Sequence, residues 1–169
     1  FNGQGGSHIR DILKMKDQAE YVALCDVDSE VLERGAKYIE DAQGKRPKLY
    51  RDIRVALNDY NIDAVTIATP NHWHSLAAIW ACQAGLDVYV EKPMALDSGQ
   101  CTEMIAACQA ASVPLFVAYY RRALPRFLQV KSLVDDGAIG PIRFVHILLT
   151  RPLDPQVAGL PPDQSPWRL

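Results

Sequence analysis

Short apolar runs alternate along this chain with amphipathic stretches, and this alternation restricts its fold more than any other feature. The apolar runs cover Tyr21–Cys25, Lys48–Tyr50, Ala64–Ala68, Val88–Val90 and Leu115–Ala118. Helical patterns lie at Ser7–Met15, Ser29–Asp41, Ile53–Leu57, His74–Ala84, Gly99–Ala111 and Arg126–Asp135. Strands that alternate with helices form parallel sheets, because each parallel pair needs a crossover connection. The sequence therefore predicts an α/β fold built on a doubly wound parallel sheet.

Residues next to these segments support the same order of elements. Asp28 stands directly before the second helical pattern, where a carboxylate caps free N–H groups. Gly85 and Gly137 follow two other helical patterns, in the position that favours a left-handed backbone. The run Ala64–Ala68 is apolar on both faces, which predicts a strand covered by helices on both sides.

The last fifty residues differ from the rest. The segment Pro141–Leu149 mostly alternates between apolar and polar residues, which predicts a further strand and the start of a second, α+β domain. We therefore expect a first domain over residues 1–120 and the beginning of a second over 121–169. The chain opens at Phe1 and closes after a proline-rich run, so we expect both ends to be cuts. Export of the protein is an alternative to a cytoplasmic location, because a targeting segment would precede Phe1.

Composition and charge exclude several classes of partner. Hydrophobic residues make up 49% of the chain, charged residues 22%, and the formal net charge is −2. These values exclude a disordered chain, and without a Lys/Arg block there is no electrostatic support for a nucleic-acid or anionic-membrane partner. No apolar run approaches the roughly 20 residues of a membrane span. We expect a soluble protein without either partner.

The four cysteines, Cys25, Cys82, Cys101 and Cys108, are scattered along the chain. Their spacing matches no zinc motif, and a disulfide framework is not expected in a chain of this size. Cys101 and Cys108 lie seven residues apart on one face of a predicted helix, where we expect buried free thiols. A reducing compartment, and hence the cytoplasm, fits this pattern best.

A glycine cluster at residues 3–6 precedes the first helical pattern. Glycines there let the backbone approach a pyrophosphate, whose charge then meets the free N–H groups of the helix start. Read from Gly3, the motif G-x-G-x-x-G lacks its third glycine. In the register that we prefer, Asn2 replaces the second glycine, Gly5 is the third, and a strand precedes residue 1.

Asp26 ends the apolar run Tyr21–Cys25 and lies 21 residues after Gly5. A carboxylate at about this spacing binds the adenosine ribose hydroxyls in dinucleotide-binding folds, and it repels a 2′-phosphate. This spacing favours NAD over NADP. The alternative is that Asp26 only helps Asp28 to cap the next helix.

Two further segments follow predicted strands, where ligands bind in open parallel sheets. The first is Thr69-Pro70-Asn71-His72-Trp73-His74. Its two histidines lack a nearby carboxylate or thiol cluster, so we expect no metal, and we expect His74 to be an orienting or cofactor-contacting group. The second is Glu91-Lys92-Pro93, in which Lys92 can hydrogen-bond a substrate oxygen and Pro93 can be cis. A surface Lys–Glu pair is the alternative for this segment.

Together these segments resemble the Gfo/Idh/MocA family of nicotinamide-dependent oxidoreductases, named for glucose–fructose oxidoreductase and inositol dehydrogenase. The resemblance runs from the glycine cluster to about residue 150. Its most specific part is the spacing from Thr69-Pro70-Asn71 and His74 to Glu91-Lys92-Pro93. It implies a Rossmann-type sheet and a hydride transfer between NAD(P) and a hydroxyl carbon of a sugar, cyclitol or related polyol. It also implies a homo-oligomeric full-length parent.

The resemblance implies a role for each matching residue. The pyrophosphate is held by Asn2, Gly3, Gln4 and Gly5, and the adenosine ribose by Asp26. The cofactor cleft is lined by Thr69, Pro70, Asn71 and His74. Glu91 and Lys92 meet the nicotinamide ribose, and Lys92, the catalytic residue, also contacts the substrate hydroxyl. Tyr120, Arg121 and Arg122 border the substrate pocket, although Arg122 fits a surface or salt-bridged position equally well.

Three departures from the family pattern bear on function. The strand before the glycine cluster is absent, and the family's proton-transferring His is expected beyond Leu169. Residues up to Pro93 resemble one subgroup and those from Met94 another, which fits a chimera or natural mixing. We therefore expect this chain alone to bind NAD weakly and to be inactive. An NAD-dependent glycoside hydrolase and a non-catalytic NAD- or sugar-sensing regulator remain alternatives for the parent.

Overall fold

The computed structural model describes residues 3–148 and 150. Helices and strands alternate along the chain. The α-helices are α1 (Gly3–Ile12), α2 (Ser29–Gln43), α3 (Ile53–Ala56), α4 (His74–Gln83), α5 (Ser98–Ala111) and α6 (Pro125–Asp135). The strands are β1 (Ala23–Cys25), β2 (Lys48–Tyr50), β3 (Ala64–Ile67), β4 (Asp87–Val90) and β5 (Leu115–Val117). Short 3₁₀ helices cover Leu13–Met15, Asn71–Trp73 and Tyr120–Ala123.

All strand pairs are parallel, as the sequence predicts, but the strands form two sheets. One sheet has the order β1-β2 and the other the order β3-β4-β5. In the strand order 3-2-1-4-5-6 of a dinucleotide-binding sheet, one strand lies between these two groups. Among the described residues no strand occupies that position. The prediction of a doubly wound parallel α/β fold is confirmed, with its sheet divided at this point.

Each sheet has its own hydrophobic core. The larger core joins β3, β4 and β5 to α4 and α5 and contains Ile67, Ala78, Val88, Val90 and Met104. The smaller core joins β1 to α1 and α2 and contains Ile9, Leu24, Leu32, Ala36 and Ile39. These buried apolar side chains stabilise the two sheets separately.

The three predicted helix caps are confirmed. The side chain of Asp28 caps α2, because its Oδ1 accepts hydrogen bonds from the backbone N–H groups of Glu30 at 2.8 Å and Val31 at 3.2 Å. Gly85 follows α4 with φ of 79°, and Gly137 follows α6 with φ of 67°. Both glycines therefore adopt the left-handed conformation that their positions predict.

Two strand predictions are wrong. The strand predicted at Pro141–Leu149 is not formed over residues 141–148, and Leu149 lies outside the described residues. Phe144 and Ile147 are each 84% exposed, so the segment has neither a pairing strand nor a covering layer there. The β3 strand is not covered on both faces either, since Ala64 and Thr66 are exposed while Ile67 is buried against α4. A strand needs partners in space, which local sequence does not supply.

The prediction about cysteines is partly wrong. A disulfide joins Cys82 of α4 to Cys108 of α5, with the two Cα atoms 5.1 Å apart, whereas Cys25 and Cys101 are free. Sequence spacing cannot show this pair, because it depends on how α4 packs against α5. The expected reducing compartment, which rested on free thiols, therefore loses its support.

The chain divides into two compact units, Phe1–Leu124 and Pro125–Leu169. The division lies four residues after the domain boundary predicted from the sequence. All residues of the site described below that the structure describes belong to the first unit. No helix within the described residues is both long enough and apolar enough to cross a membrane.

Candidate active site

A cleft of about 460 Å³ lies where the start of α1 meets the loops that follow β3 and β4. It is lined by Gly3, Gln4, Ala68, Thr69, Pro70, Asn71, His74, Glu91 and Lys92. All of these except Ala68 are candidate residues from the sequence analysis, although they come from three separate segments. Their convergence follows from the parallel sheet, in which the carboxyl ends of neighbouring strands meet at one edge.

The glycine cluster forms the first turn of α1 rather than a loop before it. The helix begins at Gly3, which has φ of 58°, and its first turn contains no acidic residue. Gly3 and Gln4 reach the cleft, whereas Gly5 is not among its lining residues. Asn2 lies outside the described residues. The free N–H groups of this first turn suit a negatively charged group in the cleft.

His74 ties together the two loops that border the cleft. Its side chain is 1% exposed, its Nδ1 lies 2.7 Å from the carbonyl oxygen of Pro93, and its Nε2 lies 2.9 Å from that of Thr69. Carbonyl oxygens only accept hydrogen bonds, so a ring nitrogen that carries a proton donates to the carbonyl that it faces. His74 thus fixes the two loops relative to each other.

His8, which was not among the residues predicted for the site, joins α1 to the second of these loops. Its Nε2 lies 2.9 Å from Glu91 Oε1, and the two side chains are only 12% and 11% exposed. The His8 ring also packs edge-on against Tyr89, with the ring centroids 5.4 Å apart. The available signal was a histidine two residues after the glycine cluster, but its partner is 83 residues away.

Glu91 and Lys92 occupy the same loop in different ways. Glu91 is 8% exposed, and its Oε2 accepts a hydrogen bond of 3.0 Å from the backbone N–H of Lys92. Lys92 is exposed, and its ammonium forms no ion pair with any of residues 3–148. The Lys92–Pro93 peptide bond is cis, as the sequence suggested. The ammonium of Lys92 is therefore available at the cleft.

Asp26 lies at the carboxyl end of β1, in the other sheet, and is not part of the cleft lining. Its Oδ1 accepts a hydrogen bond of 3.0 Å from the backbone N–H of Asp28. Its other oxygen has no hydrogen-bond partner in the described part of the chain. Asp28 itself caps the helix, and Asp26 supports that cap only through its Oδ1.

The remaining candidates lie after β5. Tyr120, Arg121 and Arg122 form the exposed 3₁₀ helix Tyr120–Ala123, and none of them lines the cleft. Arg121 Nε donates a 3.4 Å hydrogen bond to the Tyr120 hydroxyl. His72, the other histidine considered as a metal ligand, is exposed. No group of three or more potential metal ligands converges within residues 3–148.

These features agree with a known family. Residues 2–119 match the model of the Gfo/Idh/MocA oxidoreductase family, described as an NAD-binding Rossmann fold. The chain belongs to this family. The resemblance inferred from the sequence motifs is therefore confirmed, and so is the Rossmann-type fold.

Relatives and solved structures cover the same region. The D-apiose dehydrogenase of Paraburkholderia graminis is 40% identical over 124 residues, which are 73% of this chain and 32% of the relative. The WlbA dehydrogenase of Bordetella pertussis, solved with NADH and UDP-GlcNAcA, is 33% identical with a TM-score of 0.71, covering 80% of this chain and 40% of that one.

A scyllo-inositol dehydrogenase of Lactobacillus casei, solved with NAD(H) and scyllo-inositol, is 26% identical with a TM-score of 0.72, covering 83% of this chain and 40% of that one. This chain thus spans 32 to 40% of the length of these proteins.

Proposed function

We propose that this chain is the cofactor-binding part of an NAD-dependent oxidoreductase acting on a hydroxyl carbon of a sugar, cyclitol or related polyol. The observation that carries the proposal is the cleft, which brings the first turn of α1 together with Thr69, His74 and Lys92. Solved relatives hold NADH with a nucleotide sugar and NAD(H) with an inositol. Their ligands motivate the choice of cofactor and substrate class.

The described residues fit NAD. The first turn of α1 offers free N–H groups and no carboxylate, which suits a pyrophosphate. The open oxygen of Asp26 suits the two hydroxyls of the adenosine ribose and opposes a 2′-phosphate. We assign Asn2, Gly3, Gln4 and Gly5 to the pyrophosphate. We assign Thr69, Pro70, Asn71, His74 and Glu91 to the cofactor cleft.

Lys92 is the residue that we place against the reacting hydroxyl. Bound NAD⁺ supplies the hydride acceptor. The ammonium of Lys92 donates a hydrogen bond to the substrate oxygen and stabilises the negative charge that grows there as the hydroxyl proton leaves. The hydrogen bond from its backbone N–H to Glu91 and the tie between His74 and Pro93 fix the loop that carries it. Such fixed geometry accounts for much of an enzyme's rate.

Substrate contacts are assigned to Tyr120, Arg121 and Arg122. They follow β5, and this end of the strand lies on the same edge of the sheet as the ends of β3 and β4. Guanidinium and phenol groups can hydrogen-bond the hydroxyls of a polyol. Arg122 is exposed, so its replacement tests whether it contacts substrate or only solvent.

Calorimetry of NAD binding to the chain tests the cofactor assignment. Asp26→Ala should weaken NAD binding about tenfold or more, because the two ribose hydroxyls lose their charged hydrogen-bond acceptor. Asp11→Ala is the matched control, since Asp11 lies on α1 in an exposed pair with Lys14 and should leave the affinity unchanged. A folded chain that binds no NAD contradicts the proposal.

Activity separates the proposed reaction from its alternatives. The full-length parent should convert NAD⁺ to NADH in the presence of an inositol or a sugar, and Lys92→Ala should abolish this conversion. A glycoside hydrolase would release a free sugar without net NADH, and a regulator would bind both ligands without reaction. The 169-residue chain alone should bind NAD weakly and show no turnover.

A further inference from the structure

We propose that Arg51 is a second determinant of cofactor choice, a guanidinium held beside Asp26 where it would bind a 2′-phosphate. The inference rests on the proposed binding of the adenosine ribose at Asp26. In this arrangement the preference for NAD depends on one carboxylate acting against a fixed cation. Removing that carboxylate is therefore expected to increase the affinity of the site for NADP relative to NAD.

Strand register places Arg51 beside Asp26. Cys25 of β1 pairs with Tyr50 of β2, and the backbone N–H of Asp26 donates a 3.1 Å hydrogen bond to the carbonyl oxygen of Tyr50. Asp26 and Arg51 are the next residues along the two strands. Because paired strands lie about 4.8 Å apart, these two residues start from neighbouring points at the carboxyl edge of the sheet.

The Arg51 side chain is fixed over the loop that carries Asp26. Its Nε and Nη2 donate hydrogen bonds of 3.3 Å and 3.0 Å to the carbonyl oxygen of Val27, the residue after Asp26. A guanidinium has five N–H donors, so three remain for a ligand. The carbonyl oxygen orients the group without neutralising its charge.

Arg54 lies three residues after Arg51 and, unlike Arg51, is paired with a carboxylate. Its guanidinium forms a forked pair with Asp52, with Nε at 3.0 Å and 3.2 Å and Nη2 at 2.6 Å from the two carboxylate oxygens. Arg51 has no ion pair with any residue that the structure describes. Arg54 is thus committed to a carboxylate, whereas Arg51 keeps its full charge for an anion.

Negative charge at the same edge explains why NAD is favoured while Asp26 is present. Burial, together with the smaller effect of the Asp26 and Asp52 carboxylates, raises the pKa of the Cys25 thiol to about 11. The negative charge of these two carboxylates also repels a 2′-phosphate. Asp52 is already paired with Arg54, so Asp26 is the carboxylate that opposes Arg51 directly.

Calorimetry with NAD and NADP on the full chain tests this inference. The variants are Arg51→Ala, Asp26→Ser, the double variant, and Arg54→Ala as the matched control. Asp26→Ser should raise the affinity for NADP about tenfold and lower that for NAD, and the double variant should lose the NADP gain. Arg51→Ala should weaken NADP binding severalfold and change NAD binding less than about twofold. Arg54→Ala should change the NADP to NAD ratio by less than about twofold, since its charge is already paired.

The outcomes separate this inference from the proposed function. If the double variant keeps the NADP gain of Asp26→Ser, Arg51 has no part in cofactor choice and the inference is wrong, although NAD binding stands. If the NADP to NAD ratio shifts equally in Arg51→Ala and Arg54→Ala, only general charge matters and the inference is also wrong. If the folded chain and all its variants bind neither nucleotide, the proposed function itself fails.

Discussion

His8 Nε2 and Glu91 Oε1 lie 2.9 Å apart and connect the helix at the start of the chain to the loop after β4. Glu91 Oε2 accepts the backbone N–H of Lys92 at 3.0 Å, so one carboxylate joins α1 to the proposed catalytic residue. The first turn of α1 and Lys92 line the same cleft. The distance between the phosphate-binding and reacting ends of the proposed site therefore depends on this pair.

Replacing His8 by Leu should lower the free energy of unfolding by about 1–3 kcal/mol. The change leaves Glu91 Oε1 without its donor in a site where the carboxylate side chain is only 11% exposed, and an unsatisfied buried acceptor carries its full desolvation cost. Urea unfolding monitored by circular dichroism measures the difference.

Lys14→Ala is the control for His8→Leu, because Lys14, in the 3₁₀ helix directly after α1, pairs with Asp11 of α1, and both side chains are more than two-thirds exposed. Exposed pairs contribute little, so its effect should stay within about 0.5 kcal/mol. Equal losses in the two variants would show that the His8–Glu91 bond contributes no more than a surface contact.

His74→Leu should both destabilise the chain and weaken NAD binding, whereas His72→Ala should do neither. The His74 ring reaches the carbonyl oxygens of Thr69 and Pro93, and its loss removes a hydrogen-bond donor from these acceptors. We expect a loss of about 1–3 kcal/mol in unfolding free energy. We also expect a fall in NAD affinity measured by calorimetry, since both bordering loops are released. Unchanged NAD affinity in a destabilised His74→Leu variant would mean that the ring supports the fold and not the cleft.

The local sequence pattern was sufficient to predict most helices and strands and the segments that carry the site residues. The second helix was predicted from its cap at Asp28, and Thr69 and Lys92 were identified as site candidates because they follow apolar strands. These features depend on neighbours in sequence, which a single chain displays. The cleft itself then follows from parallel strand order.

Features that depend on distant neighbours could not be predicted in this way. His8 looked like a helix residue because its partner, Glu91, is 83 residues away. Cys82 and Cys108 meet only through the packing of α4 on α5. The strand predicted from Pro141 failed for the same reason, because its alternating side chains find no layer to pack on among the described residues.

The disulfide between Cys82 and Cys108 should be detectable by counting thiols. Of four cysteines, two should react with a thiol reagent in the unfolded oxidised chain, and all four after reduction. Reduction should also lower the free energy of unfolding by about 3 kcal/mol, because the bond closes a segment of 26 residues. Cys101→Ser is the control, since it should reduce the count by one while keeping the stability gain on oxidation. Four reactive thiols without reductant would show that the bond does not form.

Asp59 should make stability depend on pH in acid. Its carboxylate accepts hydrogen bonds from Lys48 Nζ at 2.8 Å, from the backbone N–H of Asn61 at 3.2 Å and from the Tyr50 hydroxyl at 2.9 Å. These donors, with the Lys48 ammonium first, hold the pKa of Asp59 well below its usual range. Because the pKa of Asp59 is lower in the folded chain, its carboxylate stabilises the fold at pH values above the unfolded-state pKa of about 3.9. This contribution is lost as the pH falls towards the folded-state pKa.

Asp59→Asn removes the charge but keeps the size of the side chain, and urea midpoints at pH 7, 5 and 3 measure the consequence. At pH 7 and 5 the variant should unfold at lower urea than the parent chain. At pH 3 the gap should narrow, because the unfolded parent chain then binds a proton that the folded one resists. Asp41→Asn, which affects an exposed pair with Lys37, should follow the parent at every pH. A gap for Asp59→Asn that stays constant from pH 7 to 3 would mean that the carboxylate acts through its shape and hydrogen bonds, and that its charge contributes nothing to the fold.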